Sequence, residues 1–383
     1  MSLLAWGMLG VLLVIAGLGL DVVLGFRKLE RLADAAPREG AGAPLVSIVV
    51  AARDEARGIE AAARSLLTQR YPAFEIVAVD DRSTDATGEI LERLARADPR
   101  LRVIHVRELP KGWLGKNHGL SVGAAAARGE WLLFTDADVV MAPETLARAV
   151  GFAERRGLDH LAVLPDIRLP GLLLSAFGTG FICWGTAILR PWKARDPRSW
   201  RFVGIGAFNL VRAAAYRRAG GHEPIRLRPD DDLKLGKILK RSGARSDFLL
   251  GKGLISVEWY HSVPEAIDGL MKNTFSVVEY RLLPMLAGVP LYLVGGLGPL
   301  AAFGFGSGPL RWIAAAAVTS QLGIMLFGTR ESGAPRRVAL LYPVVALLFA
   351  WIILRALVLN LAQRGIVWRG TFYPLAELRR NKV

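Results

Sequence analysis

The chain has 383 residues, of which 52% are hydrophobic, and it carries a formal net charge of +15. A soluble enzyme rarely combines so much apolar content with so basic a balance, whereas a membrane protein that faces anionic lipids often does. Nucleic-acid binding would also explain the charge, but the sequence lacks zinc-ligand spacing, a helix-turn-helix signature and an aromatic RNA-binding motif. Cys183 is the single cysteine, which excludes intramolecular disulfides and agrees with a reducing compartment.

An apolar segment opens the chain. Within residues 1–26 the one charged side chain is Asp21, and three basic residues follow in the next five positions. About 20 apolar residues span a bilayer, and positive charges after the segment favour a cytoplasmic C-terminal end. A cleaved signal peptide would carry its charges before the apolar core. We therefore expect a transmembrane anchor over 1–26 and an Ala-, Gly- and Pro-rich linker over 27–44.

From Leu45 the pattern changes to apolar runs that alternate with helical stretches. Four apolar runs predict strands, at residues 46–52, 74–79, 101–106 and 131–135. Three stretches predict helices, at residues 59–69, around 90–94 and at 120–128. Such alternation predicts an α/β fold with a mostly parallel sheet covered on both faces. In these sheets ligands bind at the carboxyl ends of the strands.

Acidic residues stand at the ends of two predicted strands. Asp80 and Asp81 end the second strand, and Asp136 and Asp138 follow the fourth. Carboxylates suit Mg²⁺ or Mn²⁺, which often shares its remaining positions with phosphate oxygens. An Asp-rich turn is the alternative interpretation of the second pair.

A third acidic run, residues 230–232, opens a predicted helix that extends to Arg241. Helix capping is the alternative explanation there, although three acids exceed what capping needs. If the three acidic runs form one site, they must lie on the same side of the membrane.

That condition bears on residues 169–189, which lie between the acidic runs and are apolar enough for a transmembrane helix. A single crossing would separate the acids, so we expect this segment to lie in the membrane interface or to enter and return. Residues 190–201 carry five basic side chains and two tryptophans, a composition that favours the headgroup layer. The expected interfacial segment is 169–201.

The C-terminal third is apolar again. Residues 276–362 contain predicted spans near 286–306, 310–328 and 338–358, and a basic tail follows over 363–383. Three crossings that start in the cytoplasm would leave this tail outside, against the positive-inside bias. Either one segment is re-entrant or the bias fails here.

The motifs together resemble family 2 glycosyltransferases with the GT-A nucleotide-sugar-binding fold, over residues 45–275. The resemblance is carried by Val46–Glu55, Val79–Thr87 (VDDRSTDAT), Asp136-x-Asp138, and Asp231-Asp232 followed by Leu235 and Gly243. Further motifs are similar to the membrane-bound branch that glycosylates lipids, which includes hopanoid-associated, carotenoid and ceramide glycosyltransferases. These are Gly112–Lys116 (GWLGK), Gly269–Asn273 (GLMKN), and Val367–Gly370 (VWRG) with Tyr373.

The resemblance implies a nucleotide-sugar donor, expected to be a UDP-sugar, and a divalent metal, Mg²⁺ or Mn²⁺. Asp138 would bind the metal with Asp136 beside it, and the metal would neutralise the leaving diphosphate. Donor contacts are implied for Ala52, Arg53, Glu55, Asp80, Asp81, Lys116 and Asp136. For Lys116 a solvated loop lysine is the alternative.

On the acceptor side, the resemblance implies Asp232 as the general base. Asp231 stands where the family more often has Glu, so the assignment between these neighbours stays open. His222, Trp259, Lys272 and Asn273 are the expected acceptor-side residues, with a packed aromatic turn as the alternative for Trp259. Processive synthases carry a Gln-x-x-Arg-Trp motif, and the corresponding residues 272–275 read KNTF. Transfer of a single sugar is therefore expected.

We expect an integral membrane, inverting glycosyltransferase that glycosylates a lipid hydroxyl at the cytoplasmic face of a bacterial inner membrane, without nucleic acid. One alternative is a polyprenyl-phosphate glycosyltransferase, whose anionic acceptor needs no base. Another is a non-catalytic membrane scaffold with a degenerate GT-A domain.

Overall fold

The computed structural model describes every residue except Ala41, and every side chain except those of Ala41, Lys272, Asn273 and Val277. The chain divides into two compact units. We call Leu29–Ile167, Pro191–Glu258 and Arg380–Val383 the sheet unit. Met1–Lys28, Arg168–Arg190 and Trp259–Arg379 form the helical unit.

The described residues of the sheet unit form an eight-stranded sheet. Its strands are β1 (Glu30–Arg31), β2 (Val46–Ala52), β3 (Phe74–Asp81), β4 (Leu101–Val106), β5 (Trp131–Thr135), β7 (His160–Leu164), β9 (Asn209–Arg212) and β10 (Ser246–Leu250), in the spatial order β1-β10-β7-β9-β5-β2-β3-β4. The pairs are parallel except those of β9, which runs antiparallel between β5 and β7. Outside this sheet, β6 (Val140–Met141) pairs with β11 (Ile255–Glu258), and β8 covers Asp166–Arg168.

The mostly parallel α/β sheet predicted from the sequence is confirmed. Strands β2 and β5 are buried on both faces and have nearly continuous apolar sequences, and their predicted limits agree with the structure. The predicted limits of β4, a partly exposed edge strand, also agree. Successive side chains enter opposite cores: in β5, Leu133 packs in one core cluster and Phe134 in the other. The register pairs Ala52 with Asp80 and Val50 with Thr135. The acids that follow β3 and β5 therefore stand at one edge of the sheet.

Six helices of the described sheet unit accompany these strands: α2 (Ile59–Leu67), α3 (Thr87–Ala97), α4 (Gly115–Ala126), α5 (Thr145–Arg155), α7 (Ala213–Arg218) and α8 (Asp231–Arg241). Helix α4 begins five residues before the predicted start at Leu120. A Cβ at Gly119 would lie 3.0 Å from the Cβ of Ala51, and one at Gly123 would lie 2.5 Å from Val49 Cγ1. These glycines lower helix propensity but let α4 lie close to β2.

The segment expected to be a linker, 27–44, is largely ordered against the sheet unit. Leu32 is fully buried in the core, and Arg148 of α5 donates to the carbonyl oxygens of Ala33 and Ala35. Its Ala- and Pro-rich composition resembles a linker, but its few apolar side chains are enough to pack.

The helical unit contains α1 (Leu3–Phe26), α6 (Gly171–Leu189), α9 (Val263–Val277), α10 (Leu282–Phe305), α11 (Gly308–Ser332), α12 (Tyr342–Ala362) and the start of α13 (Leu375–Arg380), with a hairpin of β12 (Gly365–Trp368) and β13 (Thr371–Pro374). In the described part of the chain, five helices are long and apolar enough to cross a membrane. They are Leu3–Phe26, Gly171–Lys193, Leu282–Phe305, Gly308–Ser332 and Arg336–Ala362. The last three overlap the predicted C-terminal spans.

Polar contacts join these apolar helices. Pro299 inside α10 has no N–H to donate to the carbonyl oxygen of Gly295. Gln321 of α11 donates to that oxygen from Nε2 at 2.6 Å. In apolar surroundings such a carbonyl needs a partner, so Gln321 both satisfies α10 and joins it to α11. Asp21 of α1 likewise pairs with Arg190, just after α6, at 2.7 Å.

Within the expected interfacial segment, some side chains of residues 190–201 pack or pair with other parts of the protein. Trp192 is buried, whereas Trp200 is 72% exposed. Arg195 lies 3.3 Å from Asp247, and the guanidinium of Arg201 lies 4.0 Å from the Trp200 ring centroid. Lys193, Arg195, Arg198 and Trp200 are exposed, whereas Arg201 is half-buried.

Candidate active site

Lys116 lies where three acid-bearing segments converge. It belongs to the first turn of α4, and its Nζ is 2.7 Å from Asp136 Oδ1, after β5, and 3.4 Å from Asp231 Oδ1, at the start of α8. Burial opposes its charge, but the carboxylates of Asp136, Asp231 and Asp232 outweigh burial and raise the pKa of Lys116 well above its ordinary value. The structure thus places this lysine between carboxylates.

Asp232 is held by backbone donors. Its Oδ2 accepts from the Gly206 N–H at 2.8 Å, and its Oδ1 accepts from the Leu233 N–H at 2.7 Å. Burial, followed by the charge of Asp231, raises the pKa of Asp232 to about 7. A carboxylate with such a pKa can take up a proton near neutral pH. Together with Lys116, Asp136, Asp231 and His222, it lines one small cavity.

The 203–206 loop lies against both Asp136 and Asp232, and the sequence analysis did not predict this role. A Cβ at Gly204 would overlap the carbonyl oxygen of Asp232, and one at Gly236 would overlap that of Val203. A Cβ at Gly206 would lie 2.6 Å from Asp136 Oδ2. The loop can lie this close because these positions lack side chains. The two glycines before an apolar strand were the available signal.

Asp138 lies near other carboxylates. Burial, then the charges of Asp136 and Glu55, raise the pKa of Asp138 to about 7. Among the described residues, no group of three or more His, Cys, Asp and Glu side chains is arranged to hold a metal ion. The carboxylates that act on Asp138 at this edge are those of Asp136 and Glu55.

Asp80 and Asp81 face opposite sides of β3. Arg82 donates to Asp81 from Nε and Nη2, both at 2.8 Å, and a Cβ at Gly115 would overlap this carboxylate. Asp81 therefore lies at the N-terminus of α4, the helix of Lys116. Asp80 instead hydrogen-bonds His105 Nδ1 at 2.9 Å and accepts from the Ser83 N–H at 3.3 Å.

The loop after β2, which includes Arg53 and Glu55, is tied to the turn after β3. Asp54 N–H donates to Ser83 Oγ at 3.1 Å, Glu55 N–H to Thr87 Oγ1 at 2.8 Å, and Ala56 N–H to Asp85 Oδ2 at 3.0 Å. Because Ala52 pairs in register with Asp80, the expected nucleoside residues 52, 53 and 55 lie beside the Asp80–Asp81 strand end.

The expected acceptor residues fall in different places. His222 lies in the cavity and shares a 2.6 Å hydrogen bond with the Tyr216 hydroxyl. Burial and the charge of Lys116 lower the pKa of His222 to about 3, so the ring is neutral. Trp259 belongs to the helical unit, where it packs against Phe181 and Tyr260. The side chains of residues 272 and 273 lie outside those described, so these two expectations stay predictions.

Comparisons with known proteins find similarity to glycosyltransferases. Residues 47–218 match the model of glycosyl transferase family 2. A 4,4'-diaponeurosporenoate glycosyltransferase of Staphylococcus haemolyticus is 25% identical over 268 residues, which cover 67% of this chain and 69% of that protein. A beta-monoglucosyldiacylglycerol synthase of Nostoc sp. is 32% identical over 170 residues, which cover 43% of this chain and 34% of that protein. The chain thus spans between a third and seven tenths of these relatives.

A solved structure resembles the fold. The mannosyltransferase PcManGT of Pyrobaculum calidifontis, in complex with GDP-Man and Mn²⁺, superposes with a TM-score of 0.55 over 94% of this chain and 100% of that chain, at 21% identity. The family match includes β2, β3, β5, α4 and Asp136–Asp138, and it ends before Asp231. Residues 47–218 of the chain are thus similar to family 2 glycosyltransferases, and the fold is similar to that of the solved mannosyltransferase.

Proposed function

We propose that the protein is an inverting, metal-dependent, non-processive glycosyltransferase. It moves one sugar from a nucleotide sugar, with UDP as the expected nucleotide, to a hydroxyl of a membrane lipid. The observation that carries this proposal is the convergence of Lys116, Asp136, Asp231 and Asp232 on one cavity. That grouping supplies a cation for phosphate and a carboxylate for a proton in the same place.

Asp232 is the proposed general base. Its two backbone hydrogen bonds fix the carboxylate, and its pKa of about 7 suits proton uptake at neutral pH. As the acceptor oxygen forms its bond to the anomeric carbon, Asp232 takes the hydroxyl proton. The bond from that carbon to the diphosphate breaks, and the nucleoside diphosphate leaves with the electron pair. A single displacement of this kind inverts the anomeric configuration.

The carboxylates beside the proposed nucleotide-sugar site suit a divalent metal. Burial and the charges of Asp136 and Glu55 hold the Asp138 carboxyl at a raised pKa, a sign of uncompensated negative charge. Asp136 and Asp138 would hold Mg²⁺ or Mn²⁺, with phosphate oxygens as the remaining ligands. When bound, the metal would neutralise charge that develops on the leaving diphosphate. Lys116 adds its own positive charge beside the same phosphates.

The nucleoside is proposed to bind between the β2 loop and the N-terminus of α4. Asp81 is the better candidate for direct contact, because it lies beside Gly115 on the α4 side. Asp80, engaged by His105 and Ser83, supports the turn instead. Ala52, Arg53 and Glu55 remain the proposed contacts on the opposite wall.

A lipid acceptor at the cytoplasmic face is supported by independent observations. Two relatives are named for a carotenoid acid and a diacylglycerol lipid. Five described helices suit a membrane, and the basic residues after α1 favour a cytoplasmic sheet unit. Trp200 and the basic residue Arg198 are exposed, a composition suited to headgroups. His222 and Trp259 stay the described acceptor-side candidates.

The experiment is mass spectrometry of lipids from cells that express the protein. Wild type should produce a lipid heavier than its acceptor by one sugar residue. Asp232→Asn should not produce it, whereas Asp34→Asn, which neutralises an exposed acid, should. A polyprenyl-phosphate product made equally by Asp232→Asn would contradict the base. Absent UDP binding and absent donor hydrolysis in the purified protein would favour a scaffold.

A further inference from the structure

The 224–228 loop leads directly into the acid pair at the start of α8, and α4 holds it from one side. Leu114 N–H donates to the Arg226 carbonyl oxygen at 2.8 Å. Asn117, which is fully buried, donates from Nδ2 to the carbonyl oxygens of Ile225 at 2.7 Å and Arg228 at 3.0 Å. The helix that carries Lys116 therefore also holds the loop.

Asn381, which is distant in sequence, binds other backbone groups of the same loop. Its Nδ2 donates to the Pro224 carbonyl oxygen at 2.9 Å, and its Oδ1 accepts from the Leu227 N–H at 3.0 Å. One amide thus satisfies a backbone acceptor and a backbone donor three residues apart. Because hydrogen bonds are directional, these two bonds restrain the loop from sliding past Asn381, which apolar packing does not.

The loop is coupled to the acids through a buried ion pair. Arg228 is fully buried and donates to Asp230 from Nε at 3.1 Å and Nη2 at 3.2 Å. Asp230 is the N-cap of α8, where its carbonyl oxygen accepts from the Lys234 N–H at 3.0 Å. The next two residues are Asp231 and Asp232. A shift of the loop is therefore passed to both carboxylates.

We propose that Asn381 is a positioning residue for Asp231 and Asp232, an inference that rests on their proposed catalytic role. It acts through the 224–228 loop, which keeps the acid pair in place opposite Lys116. Asn381, although it follows the helical unit in sequence, thereby forms part of the active-site scaffold. Catalytic rate, more than donor binding, should depend on it.

Three variants test this inference. Asn381→Ala removes both hydrogen bonds and should lower kcat for transfer about tenfold, less than the roughly hundredfold that a 1 Å misplacement costs. KM for the donor should stay within about twofold. Asn381→Asp keeps the acceptor for Leu227 and should restore part of the rate. Lys382→Ala changes an exposed neighbour and should match wild type.

Hydrogen–deuterium exchange gives a measurement that does not need activity. Peptides covering 222–232 should exchange faster in Asn381→Ala than in wild type or Lys382→Ala, while peptides covering 74–87 should not change. Unchanged exchange or unchanged kcat would overturn the inference, as would an equal loss of rate and donor affinity with a lowered melting temperature. If wild type transfers no sugar, the proposed function fails, but the exchange result still decides whether Asn381 holds the loop.

Discussion

The acids on the nucleoside side and the acids around Lys116 stand in different environments. Asp80 and Asp81 each have a close side-chain partner, His105 and Arg82 respectively. Burial opposes ionisation of Asp85, but hydrogen bonds from Thr87 and Ala56 outweigh it and lower the pKa of Asp85. Around Lys116, by contrast, burial and neighbouring carboxylates raise the pKa of both Asp138 and Asp232 to about 7.

The difference separates carboxylates whose charges are already compensated from carboxylates whose charges are not. Each member of the first group has a close donor: His105 for Asp80, Arg82 for Asp81 and the Ala56 N–H for Asp85. The second group retains negative charge that a cation, a phosphate-bound metal or a proton can relieve. Such a site reduces stability in exchange for reactivity, and this exchange can be measured.

The largest expected effect belongs to Asp232→Asn, which keeps the shape of the side chain but cannot accept a proton. Transfer should fall by about 10²–10⁴-fold with donor binding largely kept. In wild type the base works only when ionised, so transfer should decline as the pH falls below about 7. The measurement is kcat from pH 5.5 to 8.5, beside Asp231→Asn. A crippled Asp231→Asn with a nearly normal Asp232→Asn would assign the base to Asp231.

Metal removal should have the next largest effect. Excess EDTA should lower transfer by roughly a hundredfold or more, because the leaving diphosphate loses its Lewis acid, and Mn²⁺ or Mg²⁺ should restore it. Asp138→Ala should lose the metal dependence of UDP binding, measured by calorimetry with and without Mn²⁺. The matched variant Asp85→Ala, in the compensated group, should keep that metal dependence. Full activity in excess EDTA would remove the metal from the mechanism.

The smallest expected effect compares stability directly. Asp81→Asn breaks the pair with Arg82, which is partly exposed, and should cost about 1 kcal/mol of unfolding free energy. Asp232→Asn should raise that free energy on the order of 1–3 kcal/mol at pH 8, since it removes a buried charge. Because the pKa of Asp232 rises from its ordinary value near 4 to about 7 on folding, the gain should shrink as the pH falls below about 7 and disappear below about pH 4. Denaturant unfolding in EDTA measures both, and a gain for Asp81→Asn would break the comparison.

The sequence predicted four of the eight strands of the main sheet, β2 to β5, and did not predict β1, β7, β9 or β10. Strands β2 and β5 are apolar runs whose limits follow from burial in the sheet, whereas β4 is a partly exposed edge strand. Strand β9, Asn209–Arg212, was missed because four residues with a polar start carry little pattern, and its place between β5 and β7 depends on distant pairing. The early start of α4 was missed because its glycines serve close packing, which a propensity argument counts against a helix.

The members of the candidate site that could be predicted are those whose residue type suits a specific chemical role. The acids Asp136, Asp138, Asp231 and Asp232, together with Lys116, follow from residue type and position. The contributions of Gly204, Gly206 and Asn381 were not predictable, since each depends on two segments that meet only in the folded chain. Lys116 could be a solvated lysine by sequence, and the carboxylates around it decide otherwise.

The return of the tail to the sheet unit has a consequence for how the chain threads a bilayer. If the sheet unit lies wholly on one side of a membrane, as proposed, any segment that leaves it and returns must cross the bilayer an even number of times. We then expect the one candidate helix between Ile167 and Pro191 not to be a lone crossing. The segment between Glu258 and Arg380 contains three candidates among the described residues, so we expect at least one of them not to traverse the bilayer. On this proposal the basic tail lies on the same side as the acids, in agreement with the positive-inside bias.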